Sequence, residues 1–253
     1  MKLMRIPLTE TVAKLEYLMS VVDITHTRAF DIVERNKLNA FKHHIIKRPK
    51  PEDVTIMKFD KYYEPFIVAE GEFTVLYKRT RTYAVQVDDH VVEVEIMGNK
   101  LKPIKSLPPH MGIWERFFRR KKDYVRVIAL EGRETLEMKT KGYVILDRKG
   151  NEYPYSLPHV ELSPLREDFV QREPERYLRL EVYPDKAVET LRRRLVKVPP
   201  DAEEVISANL RVHTFQVIYY PAYYAELYWK ENDEVRIARV DGSTGKIEFY
   251  PSK

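Results

Sequence analysis

The amino-acid sequence predicts an α+β protein. Two duplicated modules, each a helix packed on an antiparallel sheet, flank a small β-rich, barrel-like middle domain. Three observations carry this. One phrase is written twice: "YYEPFIVAEGEF" (Tyr62–Phe73) and "IYYPAYYAELYW" (Ile218–Trp229) share an aromatic, a proline and Ala-Glu at one spacing. A basic segment with an apolar stripe, ending in Lys-x-Pro, precedes each copy. Runs alternating at period two, broken by turn residues, follow each copy.

The predicted boundaries are 1–98 for the first module, 99–112 for a connector, 113–166 for the middle domain and 167–253 for the second module. In the first module, Leu38, Phe41, Ile45 and Ile46 fall at helical spacing before Pro49. "YLMSVVDIT" (Tyr17–Thr25) is either a strand or part of a longer helix. "EFTVLYKRTRTYAVQVDDHVVEVEI" alternates polar and apolar and reads as a hairpin. Proline in each Tyr-x-Pro phrase belongs at a strand entrance or edge, where a missing N–H costs little. The connector carries Pro103, Pro108 and Pro109 and no period.

The middle domain opens on "IWERFFRRKKDYVRV" (Ile113–Val127). Ile113, Trp114, Phe117 and Phe118 fall on one helical face, and four cations close the last turn. Short strands are predicted at Tyr124–Glu131, Thr135–Thr140, Tyr143–Asp147 and Glu152–Leu157, with a turn at Arg148-Lys149-Gly150-Asn151. The second module starts with a strand, Arg176–Tyr183. A helix follows Pro184, with Val188, Leu191, Leu195 and Val196 on one face. Turns are predicted at Glu231-Asn232-Asp233 and Asp241-Gly242.

"YYPAYYAELYW" followed by "VRIARVDGSTGKIEF" resembles a PepSY-type or cystatin-like element, a strand, turn and strand reading Val-Asp-Gly-x-Thr-Gly-Lys-Ile. The resemblance covers about 35 residues at the end of the chain. It implies an element that binds or restrains a partner rather than one that catalyses.

Composition narrows the function classes. The absence of cysteine excludes disulfides, thiol catalysis and cysteine-ligated zinc. No apolar run approaches the roughly 18 residues of a membrane span, and the first residues lack the unbroken apolar stretch of a signal peptide. These features predict a soluble, cytoplasmic protein. Glutamine stands only at Gln86, Gln171 and Gln216 beside many Lys, Arg and Glu, which points to a thermophilic source. The net charge of +5 is unevenly placed. Residues 101–166 hold 14 basic against 8 acidic side chains, whereas 167–253 hold 14 against 16. That asymmetry predicts an acidic partner.

The binding candidates are therefore Trp114, Arg116, Arg119, Arg120, Lys121, Lys122, Tyr124 and Arg126. Arg and Lys neutralise phosphates, and Tyr124, Tyr143, Tyr153 and Tyr155 offer stacking planes for bases. The same pattern also fits a helix with core aromatics and a solvated basic end, or an amphipathic segment for a membrane or a partner groove. The leading expectation is a non-enzymatic accessory or scaffold protein that binds nucleic acid. A second is a protein-interaction module that recruits or regulates an ATPase or protease through a sheet edge.

Catalytic signatures are missing. The chain has no Walker A sequence, no Gly-rich dinucleotide fingerprint and no H-E-x-x-H, so no catalytic residue, metal or cofactor is predicted. His43 and His44 are adjacent, and neighbours on a helix point about 100° apart, a poor chelate. The acidic string Asp88, Asp89, Glu93 and Glu95 supports a third expectation, a divalent-metal nuclease. It lacks the Glu-x-Lys of such sites, and a cross-strand charge ladder explains it more simply.

Overall fold

The computed structural model describes residues 6–43, 49–106 and 124–252. Among these residues the strands are β1 (Leu8–Val12), β2 (Glu16–Ser20), β3 (Val54–Val87), β4 (Val94–Ile96), β5 (Asn99–Leu101), β6 (Ile104–Ser106), β7 (Val125–Leu146), β8 (Leu162–Pro164), β9 (Glu204–Trp229), β10 (Glu234–Asp241) and β11 (Ile247–Pro251). The helices are α1 (His26–Asn36), α2 (Glu167–Arg172) and α3 (Asp185–Leu195).

Among the described residues this is a mostly β protein, 53% strand and 17% helical, with one large mixed sheet. The expectation of two helix-plus-sheet α+β modules is overturned. The two strands that carry the repeated phrase, β3 and β9, pair with each other instead of founding separate sheets. They run antiparallel: Lys230 N donates to Asp53 O at 3.1 Å, and Gly71 lies so close to Arg211 that a Cβ there would sit 2.5 Å from its carbonyl oxygen. The sheet order is β11-β10-β9-β3-β7-β6, and β1 also pairs with β9. β2 joins β9 in parallel and β8 antiparallel. β4 and β5 form a separate hairpin.

The barrel-like middle is overturned as well. Residues predicted as three short strands form the single 22-residue β7. Gly132 and Gly142 are not turns. They sit where the chain passes close to neighbours, Gly132 beside the Tyr83 ring and Gly142 beside Leu195 Cδ2, where an added Cβ would lie 2.9 and 3.0 Å away. Glycine inside a strand often marks such an approach. The hairpin predicted downstream of Phe73 is likewise the continuation of β3 to Val87, and the turn comes later, between β4 and β5. Pro65 and Pro221 lie inside β3 and β9 rather than at an entrance or edge.

Helices differ in part. The N-terminal one is α1, earlier than the predicted Leu38–Ile46. Thr25 caps it, its side chain accepting from Arg28 N at 3.3 Å. Lys37–Phe41 is a 3-10 turn, and residues 44–48 lie outside the described residues. The predicted strand Arg176–Tyr183 is irregular apart from one parallel bridge between Tyr63 and Tyr177. The helix after Pro184 is found as α3, and the strand-turn-strand at the end of the chain as β10 and β11, paired from Val240 with Ile247 to Arg236 with Pro251.

The chain divides into two compact units. One comprises residues 10–73, 140–197 and 210–253. Its main core sets Ala29 and Val33 of α1 and Phe41 against Tyr223, Leu227, Trp229, Ala238 and Val240. Phe41 meets Trp229 edge-on at 5.5 Å. Phe66, Ile145, Ile218 and Tyr220 form a second cluster. The other unit comprises residues 1–9, 74–139 and 198–209, with Val75, Tyr77, Val127, Ile128 and Ala208 buried. No helix among the described residues is long and apolar enough to cross a membrane.

Candidate nucleic-acid interface

The smaller unit contains the part of the predicted site that is described. β6 pairs antiparallel with the start of β7, in the register Ile104 with Val127, Lys105 with Arg126 and Ser106 with Val125. Directly opposite residues of an antiparallel pair project on one face. Val127 is buried, but Ile104 opposite it is 55% exposed, and Ile128, on the same face as Arg126, is buried too. Lys105 and Arg126 share one face by register, Lys105 exposed and Arg126 half-buried. Tyr124, one alternation before Arg126, is 50% exposed. β6 ends the strand order of the sheet, so its outer edge has no strand partner among the described residues.

Two like charges directly opposite across a ladder repel. Arg126 Nη1 donates to the backbone oxygen of Asp89 at 2.6 Å, which orients the guanidinium but supplies no negative charge. Lys105 and the exposed Lys102 have no acidic partner among the described residues. The cations farther along the unit differ. Arg79 donates to Glu134 at 2.7 Å and to Asp201 at 2.5 Å, Lys78 meets Glu204 at 3.2 Å, and Arg133 meets Glu204 at 2.9 Å. Tyr83 also donates to Glu134, and this bond followed by that of Arg79 holds the Glu134 carboxyl below its usual range. Those cations are spent on carboxylates, whereas Lys102, Lys105 and Arg126 meet none among the described residues.

Six of the predicted residues, Trp114, Arg116, Arg119, Arg120, Lys121 and Lys122, lie outside the described residues. Tyr124 and Arg126 come together with Lys105. Tyr143, Tyr153 and Tyr155, offered by sequence as stacking planes, belong to the larger unit. The acidic string is divided. Asp88 caps its own turn, accepting from His90 N at 2.9 Å, and Lys100 answers Glu93 at 3.1 Å while pairing opposite Glu95. No group of three or more His, Asp or Glu side chains fit to hold a metal occurs among the described residues. Sequence reasoning missed Lys105, whose only signal was its place two residues after Pro103 in "KPIKS". No family model, no curated protein and no solved structure matches the chain.

Proposed function

We propose that the chain is a non-enzymatic binding protein and that its acidic partner is single-stranded nucleic acid. The supporting observation is the cross-strand pair Lys105 and Arg126, without an acidic partner among the described residues, on one face beside the exposed Tyr124. A phosphate between two cations offsets their repulsion, and an exposed tyrosine offers the ring on which a base stacks. The basic stretch from Arg116 to Lys122, with five cations, precedes Tyr124 in the chain.

The test is fluorescence anisotropy with labelled single-stranded DNA and RNA at several salt concentrations. The double variant Lys105→Ala/Arg126→Ala removes two phosphate contacts. Its plot of log affinity against log salt is expected to be shallower by about 1.4, at ~0.7 per phosphate on a single strand. Affinity and slope equal to the parent's would sink the proposal. A second reading, a protein partner added to the open edge of β6, is favoured if a specific protein is retained with no such salt dependence.

A further inference from the structure

The larger unit holds a cavity of about 490 Å³ that the nucleic-acid reading does not use. Its walls include Phe66, Tyr153, Tyr224 and Tyr250, with Arg239 and Glu248 among them and Lys149 also lining it. A volume of this order suits a ligand of one or two rings. The walls are fixed before any ligand arrives. Asp147 Oδ1 accepts from Lys149 N at 2.9 Å and Asn151 N at 2.8 Å, which locks the loop leading to Tyr153. Phe66 meets the Tyr153 ring edge-on at 5.0 Å.

Arg239 is the unusual member. It is only 8% exposed, and it donates to Glu64 through Nε at 2.9 Å and through Nη2. Tyr224 donates to the other oxygen of Glu64. Nη1 lies 3.8 Å from Glu248 Oε2, beyond hydrogen-bond distance, and has no hydrogen-bond partner among the described residues. Nη1 is not among the donors wholly closed to solvent, so an acceptor within the cavity that Arg239 lines can reach it. The Tyr153 hydroxyl likewise makes no hydrogen bond among the described residues while lining the same cavity. Glu248 is already served by Tyr250 at 2.6 Å and Lys246 at 2.9 Å.

We infer that this cavity is a binding site for a small planar ring compound, one acceptor of which, on a ring carbonyl or a carboxylate, takes the hydrogen bond of Arg239 Nη1. The tyrosines and Phe66 hold the ring, and the Tyr153 hydroxyl meets its polar edge. Charge narrows the class. Arg239 is neutralised by Glu64, and Glu248 stands beside it, so a phosphate dianion meets two carboxylates and is disfavoured. A neutral heterocyclic carbonyl meets no such opposition, and a monocarboxylate meets less of it than a dianion.

Titration calorimetry of the full chain with uridine, benzoate and uridine monophosphate tests this. Uridine and benzoate separate the carbonyl from the carboxylate source, and saturable one-to-one binding of either supports the site. In that case Tyr153→Ala weakens it at least about tenfold, the scale of one lost stacking contact. Arg239→Lys keeps a charge opposite Glu64 but loses Nη1, and it weakens binding too, with folding of both variants checked by circular dichroism. No saturable binding of uridine or benzoate at millimolar concentration overturns the site, as does undiminished binding by folded Tyr153→Ala. Tighter binding of the monophosphate than of uridine overturns the ligand class. Lys105→Ala/Arg126→Ala leaves the cavity residues untouched, so this result and the nucleic-acid result stand or fall separately.

Discussion

In the proposed interface, Lys105 and Arg126 place stability and binding in opposition. Facing each other across β6 and β7, they cost the ladder some stability in the absence of an anion. Lys105→Glu turns the repulsion into an attraction. It is expected to raise the unfolding free energy by about 0.5 kcal/mol, within the range of cross-strand charge pairs, and to weaken nucleic-acid binding. Urea denaturation and anisotropy on the same sample read the two signs. If stability and affinity fall together, the pair is structural and the interface is misplaced. Tyr124 and Arg126 were visible as candidates in the sequence because they close a dense run of aromatics and cations. Lys105 was not, because β6 is three residues long and follows a proline, too short for period-two alternation to register.

Elements were legible where local chemistry decides them. The helix after Pro184 has an apolar stripe of Ala187, Val188, Leu191 and Leu195, all buried, and cations in its last turn. The hairpin of β10 and β11 has its Asp-Gly turn, with Asp241 Oδ1 accepting from Ser243 N and Thr244 N. The partition into sheets was not legible, because strand partners are chosen by contacts remote in the chain. The strands predicted on either side of Gly132 and Gly142 are one strand, and each glycine relieves a close approach that only the fold creates. Nor was α1 visible ahead of Leu38, since its signal rests on the Thr25 cap and on Ala29 and Val33, with charge between. One element carries strain. Ile96 pairs with Asn99 across the two-residue turn Met97-Gly98, whose φ values of 51° and 78° are left-handed. Such turns favour Asn-Gly, and Met97 is 98% exposed, so no packing holds methionine there. Met97→Asn is expected to stabilise the β4–β5 hairpin by roughly 1 kcal/mol. Amide exchange of Ile96 and Asn99 should slow, with little change in global melting, because this hairpin lies outside the main sheet. Unchanged or faster exchange would contradict the strain.

At the scale of the whole molecule, the ionisable groups define the pH range over which the fold holds. On the acid side, Glu134, Asp168, Asp201 and Glu248 all lie below their ordinary values of 4.5 or 3.8. The leading cause is in each case a hydrogen bond, from Tyr83, Arg166, Arg79 and Tyr250 respectively. A depressed carboxyl contributes stability that is complete above its unfolded value and is lost as pH falls through the folded one. On the alkaline side, burial pushes Tyr220 up to about 12 from 10.0. Tyr224 and Tyr250 are also raised, first by burial and then by the carboxylates of Glu64 and Glu248. Burial alone would lower Lys61, but its bonds to Asp23 and Tyr63 leave it above 10.5. Groups raised in this way stabilise below their unfolded values and stop doing so as pH climbs through the folded ones. The expected profile of melting temperature against pH is therefore a plateau. It is level from about pH 5 to about 9.5, falls below pH 4 as the carboxyls take up protons, and falls above pH 10 as the unfolded tyrosines ionise. Scanning calorimetry from pH 2.5 to 12 reads it directly. Glu134→Gln should flatten part of the acid limb and leave the alkaline limb unchanged. A melting temperature that slopes steeply between pH 6 and 8 would show that groups other than these carboxyls, tyrosines and Lys61 govern the fold.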